Sequence, residues 1–175
     1  MLTCLACGPR LMIPAQTLQA PQNETALVTF IRASRFGGKD VFNIWDSEEF
    51  VGSLQGGQYV QREVAAGEHM FIVHAQNWAY IKGTFDPGKK YYILLNVTIG
   101  FTHATAIPVP ITKTQSEYGQ PQIDQWMAAL QPVAPNPEAA PAWTAKRLPQ
   151  IQKAVAKGQE AGAKFQTLAP EDNWN

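Results

Sequence analysis

From residue 25 to about residue 112 the chain is a series of short apolar runs broken by glycine, proline and charge. "TALVTFIRA" (25–33) opens it, with Ala26, Val28, Phe30 and Arg32 alternating against Leu27, Thr29 and Ile31. "VFNIWD" (41–46), "EFVGSL" (49–54), "QYVQREV" (58–64), "EHMFIVHAQ" (68–76), "WAYIKGTF" (78–85) and "KKYYILLNVTIG" (89–100) follow, separated by turn signals such as "SRFGGKD", "QGG", "AAG" and "DPG". Short β-branched and aromatic runs at this spacing predict a sandwich or barrel of about seven strands. In "QYVQREV" neither alternating set is clearly the core face. "AIPVPIT" (106–112) carries Pro108 and Pro110 two apart, which removes ladder donors on one side only and predicts an edge strand.

After Gly119 the pattern changes. "QPQIDQWMAAL" (120–130) places Ile123, Trp126, Met127 and Leu130 at helical spacing, with Pro121 in the first turn. "QPVAPNPEAAP" (131–141) reads as an extended connector. A final helix is predicted over about 142–167, kinked or delayed by Pro149, with Ile151, Val155, Gly158, Gly162 and Phe165 on one stripe. Residues 8–24 show no sustained period and read as a tether. The expected division is therefore a signal remnant and tether (1–24), a small antiparallel β-sandwich (25–114) and a Pro/Ala-rich connector with a helical tail (115–175).

Composition narrows the class. The 175 residues are 45% hydrophobic, with five Trp, five Tyr and eight Phe, enough for a substantial core. Fourteen basic and fourteen acidic side chains balance, so no overall field exists to hold nucleic acid by counterion release. Residues 143–165 hold five Lys/Arg against one Glu. That helix either lies on an anionic surface or packs its stripe on the sheet, and its narrow apolar face favours packing. No stretch is apolar enough to span a bilayer as a helix.

Candidate chemistry begins with Cys4 and Cys7 in "MLTCLACGPR". A redox C-x-x-C needs a strand before it and a helix N-terminus after it, and zinc needs further ligands. The nearest histidine is His69. A short apolar, small-residue run ending in Cys-Gly fits lipid attachment at Cys7, with residues 1–6 the end of an export signal; an incidental apolar start on a cytoplasmic protein is the other reading. His69, His74 and His103 form no ligand set, since His69 and His74 point to opposite faces of one strand. Asp46, Glu48 and Glu49 make an acidic corner, read as solvated rather than calcium-binding. No nucleophile–base motif, phosphate loop or dinucleotide fingerprint is present, so no catalytic residue, metal or cofactor is assigned.

"ALVTFIRASRFGG", "FVGSLQGGQYVQREVAAGEHMF" and "FDPGKKYYILLNV" together resemble a bacterial envelope family, domain of unknown function 2846, over residues 25 to about 100. Ala33 stands where that family often has Pro, and residues 120–175 have no counterpart in it. The resemblance implies a small antiparallel sandwich and an envelope address, many members looking like lipoproteins. It supplies no catalytic residues.

The resulting expectation is a non-enzymatic lipoprotein domain on the periplasmic side of a bacterial membrane, palmitate-anchored through Cys7. It would be a structural or assembly module with the membrane and an envelope protein or glycan as partners. The alternative is a binding module holding a peptide or glycan on an exposed aromatic sheet face formed by Trp45, Trp78 and Tyr80.

Overall fold

The computed structural model describes residues 10–22, 24–36, 40–99, 104–114 and 117–174. Eight strands follow the apolar runs closely: β2 (Thr25–Arg32), β3 (Phe42–Asp46), β4 (Glu49–Leu54), β5 (Gln58–Ala65), β6 (Gly67–His74), β7 (Trp78–Phe85), β8 (Lys90–Ile99) and β9 (Ala104–Ile111). They are joined by β1 (Met12–Pro14), β10 (Gln131–Pro135) and β11 (Gln166–Leu168), which the sequence pattern does not announce. Helices α1 (Gln120–Ala129), α2 (Ala140–Ala145) and α3 (Leu148–Gln159) complete the chain.

Two sheets pack face to face. One runs β1-β10-β5-β2-β8-β9 and the other β11-β7-β6-β3-β4. Between them Phe30, Val60, Ile93 and Leu95 of the first meet Phe42, Ile44, Phe71 and Ile81 of the second, all essentially inaccessible. Edge-to-face ring pairs Phe30–Phe71 at 5.0 Å and Phe85–Tyr91 at 4.8 Å stiffen this layer. The proline-bearing β9 lies at a sheet edge, where a strand lacking donors on one side costs nothing.

The sandwich differs from the expected antiparallel one in three pairings. β2 with β8, β10 with β5, and β11 with β7 are parallel, so both sheets are mixed. Parallel strands are usually covered on both faces. Here β2 is buried along all but its first residue, which explains why both of its alternating sets are largely apolar. On its outer side α1 lays Ile123 against Ile31, Tyr92 and Leu94, with Trp126, Met127 and Leu130 beside it.

The expected boundaries at residues 24 and 114 are not boundaries in the fold. β10 inserts between β1 and β5, Met12 pairing with Pro135 and Val133 with Val60. β11 forms an edge of the second sheet beside Gly83. The buried Trp174 donates its indole N–H to the Ile111 carbonyl at 2.8 Å. Residues 15–22, read as a tether, instead lie across β5. Thr17 shares a hydrogen bond with the Tyr59 hydroxyl, the Leu18 N–H donates to Gln61, and the Gln22 N–H donates to Glu63. The single long tail helix is two. Pro149 falls in the first turn of α3, where its missing N–H costs no bond, and the chain breaks between α2 and α3 just before it. Gly162, expected on the stripe, lies beyond the helix with φ of 89°.

The turn glycines serve close approach as much as φ. Gly56 has ordinary φ, yet a β-carbon there would sit 2.6 Å from the Arg35 Cα and 2.7 Å from the Ser34 carbonyl. The segment after β2 is thus pressed backbone-to-backbone onto the β4–β5 turn. The fully buried Arg32 holds it there: its guanidinium donates to the carbonyls of Asp40 and Leu54 and lies 4.0 Å over the Phe42 ring.

Candidate functional site

The structure brings Trp45, Trp78 and Tyr80 onto one face, as the strand periodicity predicts. Trp45 pairs with Ile72, Ile72 with Tyr80, and His74 with Trp78, all projecting away from the inter-sheet core. The exposed aromatic platform expected there is not present. Trp45 is 1% exposed and Tyr80 8%. Their cover is the tail of the same chain: Ile151 and Ala154 of α3 and Trp143 of α2 pack on them with Met70 and Ile72. Trp143 stacks on Trp45 at 6.0 Å and 15°, and Phe165 meets Tyr80 edge-on at 6.2 Å. Gly158 lets α3 approach, since a β-carbon there would lie 2.8 Å from the Met70 sulfur and 3.0 Å from the Tyr80 ring. Burial pushes the Tyr80 hydroxyl above its ordinary pKa, and it has no hydrogen-bond partner among the described residues. Trp78 alone is half-buried, and its ring stacks on His74 at 3.9 Å.

The two described histidines face opposite sides of β6. His69 has both ring nitrogens engaged, Nδ1 with Asp46 Oδ2 at 2.7 Å and Nε2 with the Ala65 carbonyl at 2.9 Å. Two acceptors favour the doubly protonated ring, and the Asp46 hydrogen bond raises its pKa against the opposing effect of burial. An imidazolium so placed has no free lone pair for a base or a metal. His74 is shifted the other way, by burial first and then by the nearby positive charge of Arg147. The acidic corner is dispersed: Asp46 goes to His69, Glu49 to Arg62 at 2.5 Å, and Glu48 to the Gln152 side chain at 3.2 Å. Among the described residues no three His, Cys, Asp or Glu side chains gather as a metal would require. Cys4, Cys7 and His103 lie outside the described residues.

A cleft of about 750 Å³ opens where the edges of the two sheets meet, between β1 and β10 on one side and β3 and β4 on the other. Asn43, Ser53, Gln58 and Gln131 are among the residues that line it, and Arg10 and Arg147 also border it. None of these was singled out in the sequence. Arg10 looks like part of a linker and Arg147 like one of several basic residues in a helix. Their meeting depends on β10 pairing with β1, which no local pattern announces. Arg147 is held in place by stacking 3.7 Å over the Trp143 ring and donating to the Trp143 carbonyl at 3.2 Å.

No family model matches the chain, and no curated protein does. Among solved structures, the chain is similar to a protein from Eubacterium rectale determined by NMR, at 15% identity and a TM-score of 0.31. That match covers 55% of this chain and 94% of the other. A likeness at this level carries no argument about fold or role. The resemblance of residues 25–100 to domain of unknown function 2846 therefore rests on its motifs alone.

Proposed function

We propose that this is a non-catalytic cell-envelope domain, acylated at Cys7 and acting as a structural or assembly module on the periplasmic side of a bacterial membrane. The observation that carries the reading is the way the N-terminal segment is laid down. From Leu11 the chain is fixed to the body, through the β1–β10 pairing, the Asn136 N–H donating to the Leu11 carbonyl, and the strap across β5. Only three residue steps separate Cys7 from Arg10, and they span at most about 11 Å. A lipid on Cys7 would seat the sandwich directly against the bilayer, with its β1 edge inward, rather than on a long free tether. That geometry suits a module presenting a fixed face to a partner.

Intact mass and detergent partitioning of the protein from its native cells test this. A chain beginning at Cys7 with added acyl mass, in the detergent phase, is the expected result. An unmodified chain beginning at Met1 in the aqueous fraction would overturn it and return the cytoplasmic reading.

A further inference from the structure

We propose that the cleft between the sheet edges is a binding site for an acidic saccharide of about disaccharide size. This goes beyond the structural-module reading and does not depend on the lipid. The argument rests on the hydrogen-bonding inventory of the lining. Ser53 Oγ donates to Asn43 Oδ1 at 2.7 Å, so the Asn43 carbonyl oxygen is engaged and its amide N–H groups remain. Gln58 Oε1 accepts from the Gln55 N–H at 2.9 Å, while its Nε2 donates to Gln131 Oε1 at 3.4 Å. The Gln131 side-chain N–H groups are then left over. In Asn43, Gln58 and Gln131 the side-chain oxygen already accepts a hydrogen bond inside the protein and N–H groups remain, whereas Gln55, also in the lining, keeps both its oxygen and its N–H groups available.

Two guanidinium groups add to this donor excess. Arg147 uses one N–H on the Trp143 carbonyl and is fixed by the ring beneath it; the Arg10 side chain is exposed and makes no ion pair among the described residues. No Asp or Glu is among the described lining residues. The positive character is felt by His74, whose ring is shifted toward neutrality partly by Arg147. Half of the lining is apolar, from Leu11, β1, Val41, Val133 and Trp143, and the polar half is rich in donors and cationic, which calls for a ligand with acceptor oxygens and a negative charge on an apolar-faced frame.

The cleft offers more room than a bare inorganic anion fills. The volume lies within the range of small-molecule sites, roughly 300–1,000 Å³, and far above one phosphate. Side-chain amide N–H groups can donate equally to the ring, glycosidic and hydroxyl oxygens of a saccharide. The Trp143 ring is already engaged by the Arg147 guanidinium and by Trp45, so the amides and guanidiniums carry most of the recognition. A carboxylate on the sugar would meet the Arg10–Arg147 side.

The test uses the full chain, ¹⁵N-labelled and titrated with a uronic-acid-containing disaccharide, with a neutral disaccharide and inorganic phosphate run in parallel. The expected result is saturable shifts confined to Arg10, Asn43, Gln131 and their neighbours, with the acidic disaccharide at least about tenfold tighter than either comparison. Arg10→Gln should weaken it about tenfold or more, as expected for loss of one charge-assisted contact. Arg10 contributes only its backbone carbonyl to the fold, accepting from Asn136, so this variant should fold normally. Arg147→Lys keeps the charge and loses the fork; it should weaken binding too, with its melting temperature measured alongside. No saturable shift at 20 mM, equal affinity for the neutral sugar, or phosphate binding as tightly as the acidic disaccharide would each overturn the proposal, as would Arg10→Gln binding like the parent.

Discussion

Removing residues 132–175 should abolish cooperative folding, although by its composition this region reads as a separable appendage. The deletion strips α2 and α3 from the outer face of the second sheet and leaves Trp45, Met70, Ile72 and Tyr80 facing water, side chains now 1%, 8%, 0% and 8% exposed. Exposing a large apolar side chain costs roughly 1.5–3 kcal/mol, so these residues together lose about 6–12 kcal/mol. A domain's whole stability is roughly 5–15 kcal/mol. Further losses add to this, since β1 forfeits its strand partner β10 and β7 loses β11. Guanidinium unfolding followed by far- and near-ultraviolet circular dichroism reads the result. The truncated chain should show no sigmoidal transition and no near-ultraviolet signal. Ile151→Ala probes the same contact in the full chain: this side chain is 2% exposed and its truncation should cost about 2–5 kcal/mol. A truncated chain that melts cooperatively near the parent midpoint, or an Ile151→Ala cost below about 0.5 kcal/mol, would refute the claim that the tail completes the core.

Two further outcomes follow from particular contacts. The pKa of His69 is raised in the folded state above its ordinary 6.5, through its hydrogen bond to Asp46. Its contribution to stability is therefore complete below about pH 6.5 and lost as pH rises through the higher folded value. Proton NMR titration should place the ring above 6.5, and Asp46→Asn should bring it down; an unchanged midpoint in that variant would remove Asp46 as the cause. Gly56→Ala forces a β-carbon to within 2.6 Å of the Arg35 Cα, a backbone atom that cannot swing aside. Thermal melts should show a loss of about 1–3 kcal/mol, and a neutral effect would mean that the loop after β2 is not pressed onto the turn as described.

The parts of the fold visible in the sequence are those whose information is local. β2 to β9 show as apolar runs of five to ten residues, and α1 shows as four apolar residues at helical spacing. Pro108 and Pro110 place β9 at an edge because a missing donor is a property of the residue itself. β1 and β11 have three residues each and β10 has five, two of them proline. Segments so short hold no measurable period, and their strand character comes entirely from partners far away in the chain. The aromatic face shows the same limit differently. Alternation establishes that Trp78 and Tyr80 share a side of β7, but nothing in a strand states what will lie on top of it. The cleft is least legible of all, because Arg10, Asn43, Gln131 and Arg147 become neighbours only after both sheets have closed.

The insertion of β10 between β1 and β5 also bears on timing during synthesis. Met12 is among the first described residues made, yet its partner Pro135 follows more than a hundred residues later, and Trp174 later still. At roughly 5–20 residues per second, the ribosome delivers that partner on the order of ten seconds afterwards. Neither sheet can reach its final strand order until β10 and β11 have joined it, and the outer face of the second sheet stays uncovered until α2 and α3 are in place. A chain of this topology is held back from premature closure by the order in which its own strands emerge.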